Sequence, residues 1–159
     1  MLQQRFSTRE VTWQTGATAR QLQWWDEIGL IVPARDANRR VYSLEQTLDV
    51  QLMLELRSSH LPLDMVQRVL RSFHAKGRLS LAEIVQSPLE YLLLVNESGQ
   101  WLVHSAEMLM ERVARVSQPV YVISLSEVFG RLRALFVQSS PKRPSQRVTS
   151  IAKEVRRAG

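Results

Sequence analysis

The chain has 159 residues, 45% of them hydrophobic and 23% charged, a composition typical of a folded protein with one large domain or two small ones. It contains no cysteine, which excludes disulfides, thiolate metal sites and cysteine redox chemistry. The formal net charge of +6 is uneven: residues 1–78 hold 11 Lys or Arg against 8 Asp or Glu, residues 79–137 hold 4 against 6, and residues 138–159 hold 6 against 1. Basic ends around an acidic centre suggest a polyanionic partner.

The sequence lacks the signals of membrane proteins and of enzymes. No apolar run reaches the length of a membrane span, and the N-terminus has no signal-peptide core, so we expect a cytoplasmic protein without membrane contact. The three histidines are scattered without the spacing of metal ligands. No Ser/His/Asp set, Cys/His set or phosphate-binding glycine loop stands out, so we predict no enzymatic activity, no cofactor and no metal.

Two short helices are predicted at the N-terminus. Residues 7–10 (Ser-Thr-Arg-Glu) have the pattern of a capping box, and Gly16 ends that helix after about two turns. Thr18 offers the next N-cap, and Gly29 ends a helix whose apolar residues recur at helical spacing: Leu22, Trp25 and Ile28. Two helices joined by a tight turn that contains glycine indicate a helix-turn-helix.

A small hairpin and two longer helices are predicted next. Residues 34–42 have turn formers at the centre and arginines on both arms, which is typical of a wing. Ser43 and Gln46 form a second capping-box pattern before a helix with leucine at every fourth position: Leu44, Leu48, Leu52 and Leu56. Pro62 precedes a fourth helix that ends at Gly77 and has one apolar face: Leu63, Val66, Leu70 and Phe73.

The second half of the chain changes its hydrophobic period. Ser80 and Glu83 cap a short helical segment, and the following elements are predicted as strands over 91–95 and 100–104, a helix over 106–117, a strand over 119–125 and a helix bearing Val128, Leu132, Leu135 and Phe136. The predicted fold class is therefore α+β: a mainly helical winged helix-turn-helix domain over 1–77, then a small β-β-α-β-α module over 78–137. Residues 138–159 are predicted to be a flexible basic tail.

The N-terminal half resembles the MerR family of bacterial transcription regulators. The resemblance rests on Gly16, Trp24-Trp25-Asp26, Ile28-Gly29-Leu30, Pro33 and the segment Arg39-Arg40-Val41-Tyr42-Ser43, and it covers about residues 5–75. The chain has a tryptophan pair where the family usually has tyrosines, and Gln23 where the family commonly has arginine. The resemblance implies sequence-specific binding of double-stranded DNA, with the second helix in the major groove and the wing on flanking backbone.

The predicted DNA-binding residues are polar, basic or aromatic side chains of the second helix and the wing. Arginine can read guanine bidentately and glutamine can read adenine, and wing arginines can reach phosphates. Trp25 is expected in the core, and Trp13 in core or wing packing. The predicted contacts are Thr18, Arg20, Gln21, Gln23, Trp24, Arg35, Arg39, Arg40 and Tyr42.

The sequence also suggests the partners of this protein and leaves two alternative functions open. We expect a nucleoid-associated homodimer, with the small second module serving dimerisation or binding a small molecule or a protein. Because no long dimerisation helix follows the first domain, an exposed strand edge could pair across the two-fold axis. The first alternative is an architectural or recombination-accessory protein similar to excisionases. The second is an adapter whose winged helix binds a protein.

Overall fold

The computed structural model describes residues 4–134, which form a mixed helix and sheet fold with a helix-turn-helix near the N-terminus. The first half contains β1 (Arg5–Ser7), α1 (Thr8–Thr15), α2 (Ala19–Glu27), β2 (Ala34–Asp36), β3 (Arg39–Ser43), α3 (Leu44–Ser58) and α4 (Leu63–Phe73). The second half contains α5 (Leu81–Gln86), β4 (Leu92–Asn96), β5 (Gly99–Val103), α6 (Ala106–Ala114), β6 (Tyr121–Ser124) and α7 (Leu125–Val128). Leu135, Phe136 and the predicted tail over 138–159 lie outside the described residues.

Side-chain caps define where the helices begin. The predicted capping boxes at Ser7, Ser43 and Ser80 are confirmed: each hydroxyl accepts from the backbone N–H three residues on, and the Glu or Gln there accepts from the N-cap N–H. Each box satisfies two of the four N–H groups that a helix start leaves without a partner.

Among residues 4–134, no helix is long and apolar enough to cross a bilayer.

The first sheet has the strand order β1-β3-β2. Its tight hairpin turns at Ala37 and Asn38, whose φ angles of 46° and 65° lie in the left-handed region that two-residue hairpin turns require. This register places Arg35 opposite Arg40. The sequence did not predict β1, because three residues are too few to show strand periodicity.

The second sheet has the order β5-β4-β6, with antiparallel pairing throughout. β4 lies in the centre and is buried along most of its length, as its apolar run predicts. At the turn into β5, the Asn96 side chain accepts from the N–H groups of Ser98 and Gly99. The helix predicted to reach residue 117 ends at Ala114.

One hydrophobic core joins the two halves. Its central element is α3, which packs against α1, α4, α5 and α7. The predicted leucine stripe of α3 is confirmed, since Leu48, Leu52 and Leu56 are fully buried and Leu44 packs at the margin. The second sheet contributes Leu93, Val95 and Ile123 to the same core, so this sheet lies directly on the helices of the first half.

Arg68 on α4 fastens the second sheet to those helices. Its guanidinium donates to Gln100 Oε1 at 2.9 Å and to the backbone oxygens of Glu97 at 2.8 Å and Gly99 at 3.2 Å, and it also donates to the Asn96 carbonyl. A planar guanidinium suits this arrangement because it presents its donors in a fixed fork. The β4–β5 turn is therefore held against α4 by one side chain.

Candidate nucleic-acid interface

The start of α2 is a complete capping box. Thr18 Oγ1 accepts from the N–H of Gln21 at 3.1 Å, and Gln21 Oε1 accepts from the N–H of Thr18 at 2.9 Å. The acceptor atoms of two predicted contact residues thus stabilise the helix, while the Thr18 hydroxyl proton and the Gln21 amide hydrogens remain available as donors. The pattern Thr-x-x-Gln was sufficient to predict this box from the sequence.

The outer face of α2 carries Arg20, Gln23 and Trp24. Arg20 is exposed and makes no ion pair within residues 4–134. Gln23 is also exposed and donates through Nε2 to Glu27 at 2.9 Å. The expected division of the tryptophan pair is confirmed, since Trp25 is 2% exposed in the core and Trp24 is 43% exposed. This face therefore offers one unpaired cation, one amide and one indole to solvent.

Asp26 connects α2 to both strands of the β2–β3 hairpin. Its Oδ2 accepts from Arg40 Nε at 2.7 Å and from Arg35 Nη2 at 3.2 Å, and its side chain is only 12% exposed. The hydrogen bond to Asp26 is the main reason that the pKa of Arg40 is raised. Asp26 is not among the contact residues predicted from the sequence, although its position between the aromatic pair and the arginines of the hairpin favours an ion pair. The hairpin is held beside α2 by this pair of ion pairs.

The three arginines of the hairpin differ in exposure and in ion pairing. Arg39 is exposed and has no ion-pair partner in the part of the chain that the structure describes. Arg35 and Arg40 both share Asp26, and their side chains are 55% and 25% exposed. Arg39 is consequently the hairpin cation that is most available to an external anion.

Tyr42 requires a correction. The structure buries this residue completely, opposite Phe6 of β1, so the predicted contact between Tyr42 and DNA is wrong for this conformation. Burial also raises the pKa of its hydroxyl, and that oxygen has no hydrogen-bond partner among residues 4–134. Tyr42 packs the sheet onto the core.

The prediction that Trp13 lies in core or wing packing is wrong. The residue is 89% exposed on α1, on the side away from the buried Val11 and Thr15. It lines a surface groove along α1 together with Arg9, Glu10, Thr12 and Gln14. The helical period was the available signal, because Trp13 lies two residues from Val11 and therefore on the opposite side of the helix.

An ion pair between the half-exposed His74 and the buried Asp49 lies away from this surface, between α3 and the end of α4. His74 Nε2 lies 3.0 and 2.9 Å from the two carboxylate oxygens of Asp49, whose side chain is 7% exposed. The bond to Asp49 raises the pKa of His74, and burial raises the pKa of Asp49. Burial together with the Asp49 charge also raises the pKa of Glu45. This cluster joins two helices of the core.

The comparisons with known proteins concern the N-terminal half. Residues 6–72 match a family model described as the MerR HTH family regulatory protein. The matched segment runs from β1 to the end of α4 and includes every residue predicted to contact DNA. The resemblance read from the sequence over residues 5–75 is thereby confirmed. No curated protein matches the chain.

Proposed function

We propose, from the MerR-family helix-turn-helix domain that residues 6–72 form, that this protein is a non-enzymatic transcription regulator that binds double-stranded DNA sequence-specifically. One observation carries the proposal: α2 and the β2–β3 hairpin each offer an arginine that makes no ion pair within the described residues, and Asp26 bonds to two other arginines of the hairpin. A rigid pair of basic elements suits a duplex, because base readout by one element depends on correct registration by the other.

α2 enters the major groove in this proposal. Arg20 near its N-terminal end reads a guanine, and Gln23 exchanges its bond to Glu27 for a base edge or a phosphate. Thr18 and Gln21 donate outward from the helix start, where the helix dipole also favours phosphate. Trp24 packs against the DNA backbone with its exposed part.

The hairpin acts as the wing. Arg39 and Arg35 contact flanking phosphates or the minor groove, and each neutralised phosphate adds to the salt dependence of binding. Arg40 contributes through its bond to Asp26, which supports its role as a residue that positions the wing. The absence of any solvent-facing atom on Tyr42 removes that residue from the proposed interface.

The rest of the chain serves assembly and regulation. The protein binds as a homodimer in the bacterial cytoplasm, associated with the nucleoid. The proposal keeps the domain limits that the sequence predicts: 1–77, 78–137 and a tail over 138–159. Six basic residues against one acidic residue in the tail support auxiliary contact with DNA.

Two arginine variants test the proposal. Arg39→Ala should lower the slope of log K against log salt by about one on a random-sequence duplex, as expected for one lost phosphate contact. Arg20→Ala should weaken binding to the preferred sequence by about 1–3 kcal/mol and relax specificity at one base pair. Arg133→Ala is the matched control, because it removes an exposed charge from the second module.

The measured specificity separates the alternatives. A regulator should prefer its own site over random duplex by about 10³ or more. Strong binding with little preference would replace the proposal with the architectural alternative. Duplex binding that is absent, or that Arg39→Ala and Arg133→Ala weaken equally, would reject this interface.

A further inference from the structure

A cavity of about 330 Å³ lies between the end of α4, the second sheet and α6. This volume is in the range of natural small-molecule sites, which begin at about 300 Å³. We propose that the cavity binds a small organic anion with a flat, aromatic or apolar body and one carboxylate or sulfonate group. The lining residues that carry the argument are Phe73, Arg78, Leu79, Trp101, Leu102 and Arg112.

The charge of the lining selects an anion. Arg78 and Arg112 both line the cavity, and no Asp or Glu does. Neither guanidinium forms an ion pair anywhere within residues 4–134. Two uncompensated cations facing one partly enclosed space create a positive potential, which a single anionic group neutralises. The same charges oppose the entry of a cationic ligand.

The shape and surface of the lining select a flat apolar body. The Arg112 guanidinium lies 5.4 Å from the centroid of the Trp101 ring, so the aromatic surface orients this cation before any ligand binds. Phe73 from α4 and Leu102 from β5 supply apolar surface from two different elements. An aromatic or branched apolar body buries this surface while its charged group reaches the arginines.

One neutral polar side chain of the cavity, Gln100, also fits an anion. Gln100 Oε1 already accepts from Arg68, which leaves the amide hydrogens of Gln100 as the available donors. Because Arg68 also holds the neighbouring turn, this donor sits on a fixed strand end. A preorganised donor loses little freedom on binding.

The test compares two probes that differ in charge. We expect 8-anilino-1-naphthalenesulfonate to bind the full-length protein saturably with one site. Its uncharged analogue N-phenyl-1-naphthylamine should bind at least tenfold more weakly, because the analogue lacks the sulfonate. A charge-assisted hydrogen bond is worth about 1.5–3 kcal/mol, which corresponds to a factor of about ten to one hundred in affinity.

Three arginine variants locate the bound probe. Arg112→Gln and Arg78→Gln should each weaken sulfonate binding at least tenfold. Arg115→Gln should bind as the parent protein does, because Arg115 lies on the same helix as Arg112 but pairs with Glu111 and does not line the cavity. Circular dichroism and the thermal midpoint check that each variant is folded.

Three results would overturn the inference. The first is equal affinity for the charged and uncharged probes. The second is unchanged sulfonate binding by both Arg112→Gln and Arg78→Gln in their folded forms. The third is an equal loss in Arg115→Gln, which would place the probe on the exposed apolar side of α6 around Met110 and Val113.

Discussion

Replacing Asp26 with asparagine perturbs the contact that joins α2 to the hairpin. The substitution keeps the size of the side chain and one oxygen acceptor, but it removes the negative charge shared by Arg35 and Arg40. Arg40 then keeps its positive charge at a site where its side chain is only 25% exposed. The hairpin should lose its fixed position beside the helix.

The expected magnitude follows from burial. A hydrogen bond to a charged group contributes about 1.5–3 kcal/mol when buried, whereas an exposed ion pair contributes about 0.2–1 kcal/mol. Asp26 is 12% exposed and its bond to Arg40 is short, while Arg35 is mostly exposed. Since asparagine can still accept one hydrogen bond, we expect a loss of about 1–2 kcal/mol. For a chain of this size the thermal midpoint should fall by roughly 2–8 °C.

Urea unfolding of the parent and variant measures this loss, with the m-value expected to stay constant. Asp36→Asn is the matched control, because Asp36 is an exposed carboxylate on β2 that makes no ion pair within the described residues. A double-mutant cycle with Arg40→Gln should give a coupling energy of about 1 kcal/mol. If Asp26→Asn destabilises no more than Asp36→Asn, Asp26 does not hold the hairpin against α2.

Three further predictions concern stability. Asp49 raises the pKa of His74, so the pair stabilises the fold fully below the ordinary His pKa of 6.5 and loses that effect as pH rises through the folded pKa. The urea midpoint should therefore fall between pH 5.5 and 8.5. His74→Gln should make the urea midpoint depend less on pH. Ala37→Gly should raise the free energy of unfolding by about 0.5–1 kcal/mol, because alanine is strained at φ 46°. Asn38→Gly should raise it by less, because asparagine tolerates the left-handed region better than alanine. Equal increases of the thermal midpoint in the two variants would contradict this. Arg68→Gln should cost about 2–3 kcal/mol, because it removes the Arg68 donor from the part-buried carbonyls of Asn96 and Gly99. It should also speed amide exchange in the β4–β5 turn, and unchanged exchange there would count against the role of Arg68.

The helix-turn-helix was predictable because its signals are local. Capping pairs lie three residues apart, and Gly16 and Gly29 take φ angles of 83° and 74° at helix ends, which glycine adopts without strain. The leucine stripe of α3 likewise needed only its own sequence. By contrast, β1 pairs with β3, more than thirty residues later in the chain. The three residues of β1 carry no sequence signal that indicates this pairing.

The sequence predicts which residues could form the candidate interface, but it does not predict how these residues contact one another. The sequence showed which side chains could contact DNA, and the separation of Trp24 from Trp25 followed from helical periodicity. It did not show that Asp26 binds arginines nine and fourteen residues away, because the hairpin register sets that contact. Tyr42 failed as a prediction for the same reason, since its burial depends on how the sheet packs on the core.

Selection of bound sequences from a random duplex pool would show whether this protein reads DNA sequence. At about 150 mM salt, near physiological ionic strength, non-specific phosphate contacts are weakened and base readout decides which duplexes are retained. We predict strong enrichment of a palindrome whose half-sites are separated by about one helical turn or a multiple of it, as expected for a symmetric dimer. Recovery of a pool with no enriched sequence would contradict the proposal that this protein is a sequence-specific regulator.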